Sequence, residues 1–341
     1  MGVIAKIKSA LRPFIYSPEI MLSEQFAFGH LEIYQRFFSF PRNKILLAEL
    51  QHGWASDSKL LTQSDSSMRL VNRRLRQYPL LVWSRELENQ FKSSKQQSVL
   101  SICSPWFLLL KNYEKLRKGD ERIYCEVRGS ALFFPSHSFP GVDSTSDVEN
   151  FRQISQFRKF TSITTCLYWS DFLNPTRREH FGHFSKVTCV GLRSNAATQI
   201  PWHDTGGRVN FLYQLHKLIS MHEYVICEEL STAAMAAMTL GKKVFVTKNK
   251  VQYKSNSNSM DNLNLELDNS VILSKYGVNI SHESLGYDLT DNSDILNLAK
   301  RGFGFDISID ETREVLECLL GSPSRNFKSS SEIAFSSQLL W

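Results

Sequence analysis

Several things are missing from this sequence, and each absence removes a class of protein. There is no CxxC pair. Cys103, Cys125, Cys166, Cys189, Cys227 and Cys318 are scattered singly, so neither a disulfide framework nor a zinc ribbon is expected, and a reducing compartment is. Cys103, Cys166, Cys189 and Cys227 fall inside apolar runs, where a free cysteine acts as a small buried hydrophobe. No apolar run reaches the ~18 residues that a membrane span requires. There is no GxxxxGK[ST], no GxGxxG after a strand and no G-x-S-x-G. P-loop ATPases, kinases, simple dehydrogenases and α/β-hydrolases therefore lose ground. No internal repeat is visible. No clustered aromatic and basic motif points to nucleic acid, which is not expected as a partner.

The amino-terminal stretch MGVIAKIKSALRPF lacks the features of a secretory signal: Lys6 and Lys8 interrupt its apolar residues and no small-residue cleavage site follows. Lys6 also stands where a myristoylation signal needs Ser or Thr. The expected location is the cytoplasm. Val3, Ile4, Ile7, Leu11 and Phe14 do recur at helical spacing with Lys6, Lys8 and Arg12 between them. That pattern suits either an interfacial helix at the inner, anionic face of a membrane or a first helix docked on the core.

What is present is ample. Of 341 residues, 42% are hydrophobic and 22% charged, enough for two domains of ordinary size. The net charge of +6 and pI near 8.9 favour an anionic partner such as a phosphate ester, a nucleotide or anionic lipid, with a merely solvated basic surface as the alternative. Arg69, Arg73, Arg74 and Arg76 form one basic helical face with the same two readings.

Short apolar runs rich in β-branched and aromatic residues recur at 43–50, 79–84, 98–103, 131–136, 163–169, 186–191, 223–228 and 242–247. Their near-continuous apolarity suits strands covered on both faces. Helical patterns fall at 19–37, 66–77, 106–117, 147–160, 208–221 and 231–240. The alternation predicts an α/β fold with parallel sheets. A boundary near 120–130 divides an amino-terminal lobe (1–125) from a second lobe (130–321), followed by a tail (322–341). The stretches 142–147 and 248–264 read as loops.

Polar residues collect where these runs end. The first run ends in His52-Gly53, either a plain turn or an imidazole lifted into a cleft as base or phosphate contact. The run ALFF leads into Pro135-Ser136-His137-Ser138, either a turn or a polar recognition loop. After 163–169 come Asp171 and the pair Arg177-Arg178, which could clamp phosphate. His180 and His183 lack the partners a metal site needs. The run EYVICE passes through Glu228 and Glu229 to Ser231-Thr232, which open the helix AAMAAMT. A helix start of this kind is either an ordinary cap or a phosphate site. The adjacent carboxylates either accept ribose hydroxyls or stabilise the helix start.

This order of His-Gly, FFPSHS and LHKLISMHEYVICEELSTAAMAAMTLGKKVFV resembles bacterial polysaccharide-assembly transferases of the GT-B fold, such as CDP-glycerol glycerophosphotransferases and CMP-sugar sialyl- or Kdo-type transferases. The resemblance spans roughly residues 45–247 by motif order. It implies two Rossmann-like lobes with parallel sheets. Only about fifty residues precede His52, so either the first lobe is reduced or the resemblance is confined to the cleft and the second lobe. It further implies two catalytic histidines, His52 as base or phosphate contact and His137 facing an interdomain cleft from the second lobe. Ser231 and Thr232 would hold the donor phosphates, with Gly53, Ser136, Arg177, Arg178, Glu228 and Glu229 around the donor. The acidic EEL sets a CMP donor against a UDP or GDP one.

The implied activity is transfer of a sugar from a nucleotide-activated donor to a hydroxyl on a glycan or lipid-linked acceptor, without metal or other cofactor. Transfer of a polyol phosphate from a CDP donor, or non-catalytic binding of a glycan or protein partner on the same scaffold, are the alternatives.

Overall fold

The computed structural model describes residues 29–41, 44–51, 53–55, 79–93, 99–111, 125–137, 142–145, 160–190, 210–248, 251–255, 264–278 and 286–321. These divide into two compact units: one takes the described residues up to 111 and those from 300 onward, the other those from 125 to 299.

The first unit opens with α1 (His30–Phe38), whose Leu31, Ile33, Tyr34 and Phe38 are buried. The apolar run 43–50 does not form one strand. It breaks at Leu47-Ala48 into β1 (Ile45–Leu46) and β2 (Glu49–Leu50), which join different sheets. Strand β2 pairs in parallel with β3 (Leu80–Val82), and β3 with β4 (Val99–Ser101). All of β3 is buried, as a central parallel strand should be. Between them α2 (Arg85–Ser93) packs Leu87 and Phe91 onto Leu80, Val82, Val99 and Ala55. Its start is fixed by Ser84, whose Oγ accepts from the Glu86 N–H at 3.1 Å. Helix α3 (Pro105–Lys111) begins in the same way, with Ser104 Oγ accepting from Phe107 N–H at 3.0 Å.

The second unit is built on a six-stranded sheet. In chain order its elements are β5 (Val127–Phe134), β6 (Val142–Thr145), β7 (Ser162–Leu167), α4 (Trp169–Leu173), α5 (Pro175–Gly182), β8 (Lys186–Cys189), α6 (Asn210–Ser220), β9 (His222–Cys227), α7 (Thr232–Thr239), β10 (Lys243–Thr247), β11 (Val251–Ser255), β12 (Asn264–Leu267), α8 (Asn269–Ser274), β13 (Gly286–Asp288) and α9 (Ser293–Gly302), whose last three residues count with the first unit.

The sheet runs β8-β7-β5-β9-β10-β13, parallel throughout except for β13. The chain starts at the middle with β5, moves outward through β7 to β8, then returns to the other side of β5 and moves outward through β9 and β10. This is a doubly wound sheet, and its winding reverses between β5 and β9. Ala131, Phe133, Leu167, Phe181, Ile226 and Phe245 form one buried cluster. Helix α7, with Ala234 through Met238 all buried, packs against β9 and β10.

From Lys300 the chain belongs to the first unit. The Trp83 and Trp106 rings lie within 6.3 Å of Phe303, centroid to centroid. Helix α10 (Ile309–Leu319) places Thr312 Oγ1 2.9 Å from the Cys103 N–H, and β14 (Leu320–Gly321) pairs antiparallel with β1.

The expected α/β class with parallel sheets is what the structure has, with a small sheet in the first unit and a larger one in the second. Other expectations change. Residues 142–145 and 251–255, expected in loops, form β6 and β11, which with β12 make an antiparallel sheet. The sequence division closes the second lobe at residue 321, whereas residues 300–321 pack with the first unit. The helical patterns at 66–77 and 147–159, the amino-terminal helix, the arginine face at 69–76 and the tail at 322–341 lie outside the described residues.

Candidate functional site

Strand β5 ends at Phe134 and delivers Pro135, Ser136 and His137. Strand β9, its neighbour across the reversal, ends at Cys227 and delivers Glu228 to Ser231. Both loops leave the carboxyl end of the sheet. The Glu228 N–H still donates to Phe134 O at 3.1 Å, extending the ladder by one bond and holding the loops side by side.

Beyond that bond the side chains take over. Glu228 is 2% exposed, and its Oε2 accepts from both the N–H and the Oγ–H of Ser136, each at 2.7 Å. Donors of this kind stabilise a carboxylate that water cannot reach. Ser144, on β6, donates from Oγ to Ser136 O at 3.2 Å and accepts from Arg177 Nη2 at 3.2 Å. Arg177 also faces buried Asp171, Nε to Oδ1 at 3.6 Å. One continuous polar chain thus runs Asp171–Arg177–Ser144–Ser136–Glu228. The half-buried His137 ring stacks on Tyr168, with centroids 4.2 Å apart and an interplanar angle of 22°. Tyr168 directly follows β7, so the ends of β5, β7 and β9 all contribute.

The turn after β9 is fixed from its other side. Asn269, buried at the start of α8, donates from Nδ2 to Glu228 O at 2.8 Å and to Thr247 O at 3.4 Å, while its Oδ1 accepts from Leu230 N–H at 3.1 Å. Ser231 has extended backbone and caps α7, its Oγ accepting from Ala234 N–H at 3.4 Å. Ser231 and Thr232 are half-buried at the amino end of a helix that presents partial positive charge. Burial, reinforced by the nearby Glu229 and Glu228 charges, pushes the Cys227 thiol up to about 12 against a smaller opposing bond from Ser231. It is a neutral thiol and no nucleophile.

The structure therefore brings Ser136, His137, Arg177, Glu228, Glu229, Ser231 and Thr232 to one end of one sheet. Arg178 is exposed, its guanidinium 5.7 Å from the Phe172 ring centroid, and does not join the chain of bonds. Gly53 belongs to the first unit, where its carbonyl accepts from Gln51 Nε2 at 2.6 Å. His52 lies outside the described residues. Ser144, Tyr168, Thr247 and Asn269 were not singled out from sequence. The signal for Asn269 was an Asp-Asn-Ser cluster just ahead of the apolar VIL.

Among the described residues no group of three or more His, Cys, Asp or Glu could hold a metal ion, and no helix is long and apolar enough to cross a membrane. Fold and loops together define an open, doubly wound α/β sheet with its polar groups gathered at the point where the winding reverses. No protein-family model matches the chain, and no curated protein matches it. Among solved structures it is similar to a UDP-GlcNAc 2-epimerase from Neisseria meningitidis bound to UDP-GlcNAc, at 11% identity and a TM-score of 0.30. The match covers 75% of this chain and 57% of that one. An overlap that slight carries no argument about chemistry.

Proposed function

We propose that the second unit binds a nucleotide-activated sugar at the carboxyl ends of β5 and β9, and that the protein transfers the sugar to a hydroxyl acceptor. The observation that carries this reading is the pairing of loops at the reversal of strand order. Open α/β sheets bind ligands outside the carboxyl ends of their strands, at the point where the strand order reverses. In this sheet the strand ends at the reversal carry the amino end of α7 with its Ser231 and Thr232 hydroxyls, and Arg177 and His137 lie at the same end.

The parts divide the work. Ser231, Thr232 and the α7 dipole hold the donor phosphates and stabilise the charge that grows on the leaving group. Arg177 adds a fixed positive charge, itself oriented by Asp171 and Ser144. Glu228 and Ser136 lock the two loops together. Arg178 assists from the surface. His52, directly after β2 and Gln51, is the base that takes the proton from the acceptor hydroxyl, with Gly53 giving close backbone approach.

The full chain is tested with UDP-, GDP- and CMP-linked sugars, following thermal stability and release of free nucleotide. One nucleotide should raise the melting temperature and its sugar conjugate should release it. His52→Ala should lower turnover by about a hundredfold or more with the melting temperature unchanged. No shift with any nucleotide, or loss of stability in His52→Ala matching the loss of activity, would reject the reading.

A further inference from the structure

We propose that Asn269 is a positioning residue for nucleotide binding: it fixes the turn between β9 and α7 and thereby aims the amino end of α7. The inference rests on the reading of that turn as the donor site. A tight turn at a strand end leaves main-chain groups that neither the strand nor the helix can satisfy. Here those groups are the Glu228 carbonyl and the Leu230 N–H, an acceptor and a donor two residues apart. Asn269 answers both, donating to Glu228 O at 2.8 Å and accepting from Leu230 N at 3.1 Å. A carboxylate can only accept and an aliphatic side chain can do neither, so of similar shapes only the amide fits both ends.

The same amide reaches Thr247 O at 3.4 Å, and Thr247 Oγ1 lies 3.5 Å from Glu228 O, which ties the turn to the end of β10. Within the turn the Ser231 N–H closes onto Glu229 O at 2.8 Å, so a turn clamped at Glu228 and Leu230 carries Ser231 with it. Asn269 is buried and bonds the main chain of the turn, so its part is to hold the turn rather than to meet the ligand.

The test uses the full chain with Asn269→Leu and Asn269→Asp. Leu273→Ala, which empties a buried position on the same helix α8, serves as the packing control. Calorimetric titration with UDP, GDP and CMP is paired with amide hydrogen exchange of the ligand-free proteins. Both Asn269 variants should bind the preferred nucleotide at least tenfold more weakly, and amides 230–234 should exchange at least tenfold faster in Asn269→Leu. Leu273→Ala should keep wild-type affinity. Unchanged exchange at 230–234, or an equal loss of affinity in Leu273→Ala, overturns the assignment. A wild-type protein that binds none of the three nucleotides overturns the donor reading instead, and the exchange measurement then decides on its own whether Asn269 holds the turn.

Discussion

His216, on α6, shows how far burial governs a single side chain at the end of the sheet away from the polar loops. Desolvation, with a smaller push from the Lys242 charge, lowers its pKa from 6.5 to about 4. Its ring lies near Ser220 Oγ, Nδ1 at 3.5 Å, and Lys242 is bonded to Ser220 O and to Glu126. The folded protein keeps this imidazole neutral where the unfolded chain would protonate it. Between pH 6.5 and 4 the unfolded state binds more protons, so stability falls as pH falls through that window and levels off below it. The upper bound for the loss is about 3 kcal/mol. Burial also lowers His222, which adds in the same direction. Urea unfolding at pH 7.5 and 4.5 should show a clearly smaller pH penalty in His216→Gln than in wild type. Equal penalties in the two proteins would mean that His216 protonates freely in the fold.

At the scale of elements, helix α7 and its flanks were the most legible part of the sequence, because each local signal agreed with the next. Ser231 caps the start, the alanines and methionines pack, and Gly241 ends the helix at φ 68° with the Lys242 N–H bonded to Ala237 O and its own to Met238 O. The strands β3, β4, β7, β9 and β10 were legible for the same reason: buried parallel strands write themselves as short apolar runs. Strands β6 and β11 were not, since an antiparallel ribbon of VDST and VQYKS has the polar composition of a loop. Nor was Asn269, because a buried amide is recognised only by what it meets across 41 residues of chain.

Two glycines separate local from tertiary demands. Gly241 has open space where a Cβ would be, so Gly241→Ala carries only the left-handed backbone penalty, about 1 kcal/mol. Gly304 has the same φ of 68°, but its Cβ would lie 2.9 Å from Trp83 O and 3.0 Å from Ile102 O, neither of which can yield without disturbing β3 and β4. Gly304→Ala should lose at least twice as much as Gly241→Ala in urea unfolding, and equal losses would show that the backbone there gives way.

For the molecule as a whole, the path of the chain matters more than its length. The second unit draws its six-stranded sheet and its core entirely from residues between 125 and 299. The first unit is completed only by residues from 300 onward: Phe303 beside Trp83 and Trp106, Gly304 under Trp83 and Ile102, Thr312 on Cys103, and β14 paired with β1. The two units should therefore respond oppositely to cutting the chain at 299. A fragment of residues 119–299 keeps every pairing of its sheet and should fold alone, with a cooperative urea transition and, if the donor reading holds, the nucleotide affinity of the full chain. A fragment of residues 1–299 takes Phe303 from beside Trp83 and Trp106 and Thr312 from the Cys103 N–H. Its front segment should be digested within minutes by trypsin while residues 125–299 resist, and its near-ultraviolet tryptophan signal should fall. A protease-resistant segment 30–111 in that fragment would show that the front residues complete their own core, and that the returning chain only decorates it.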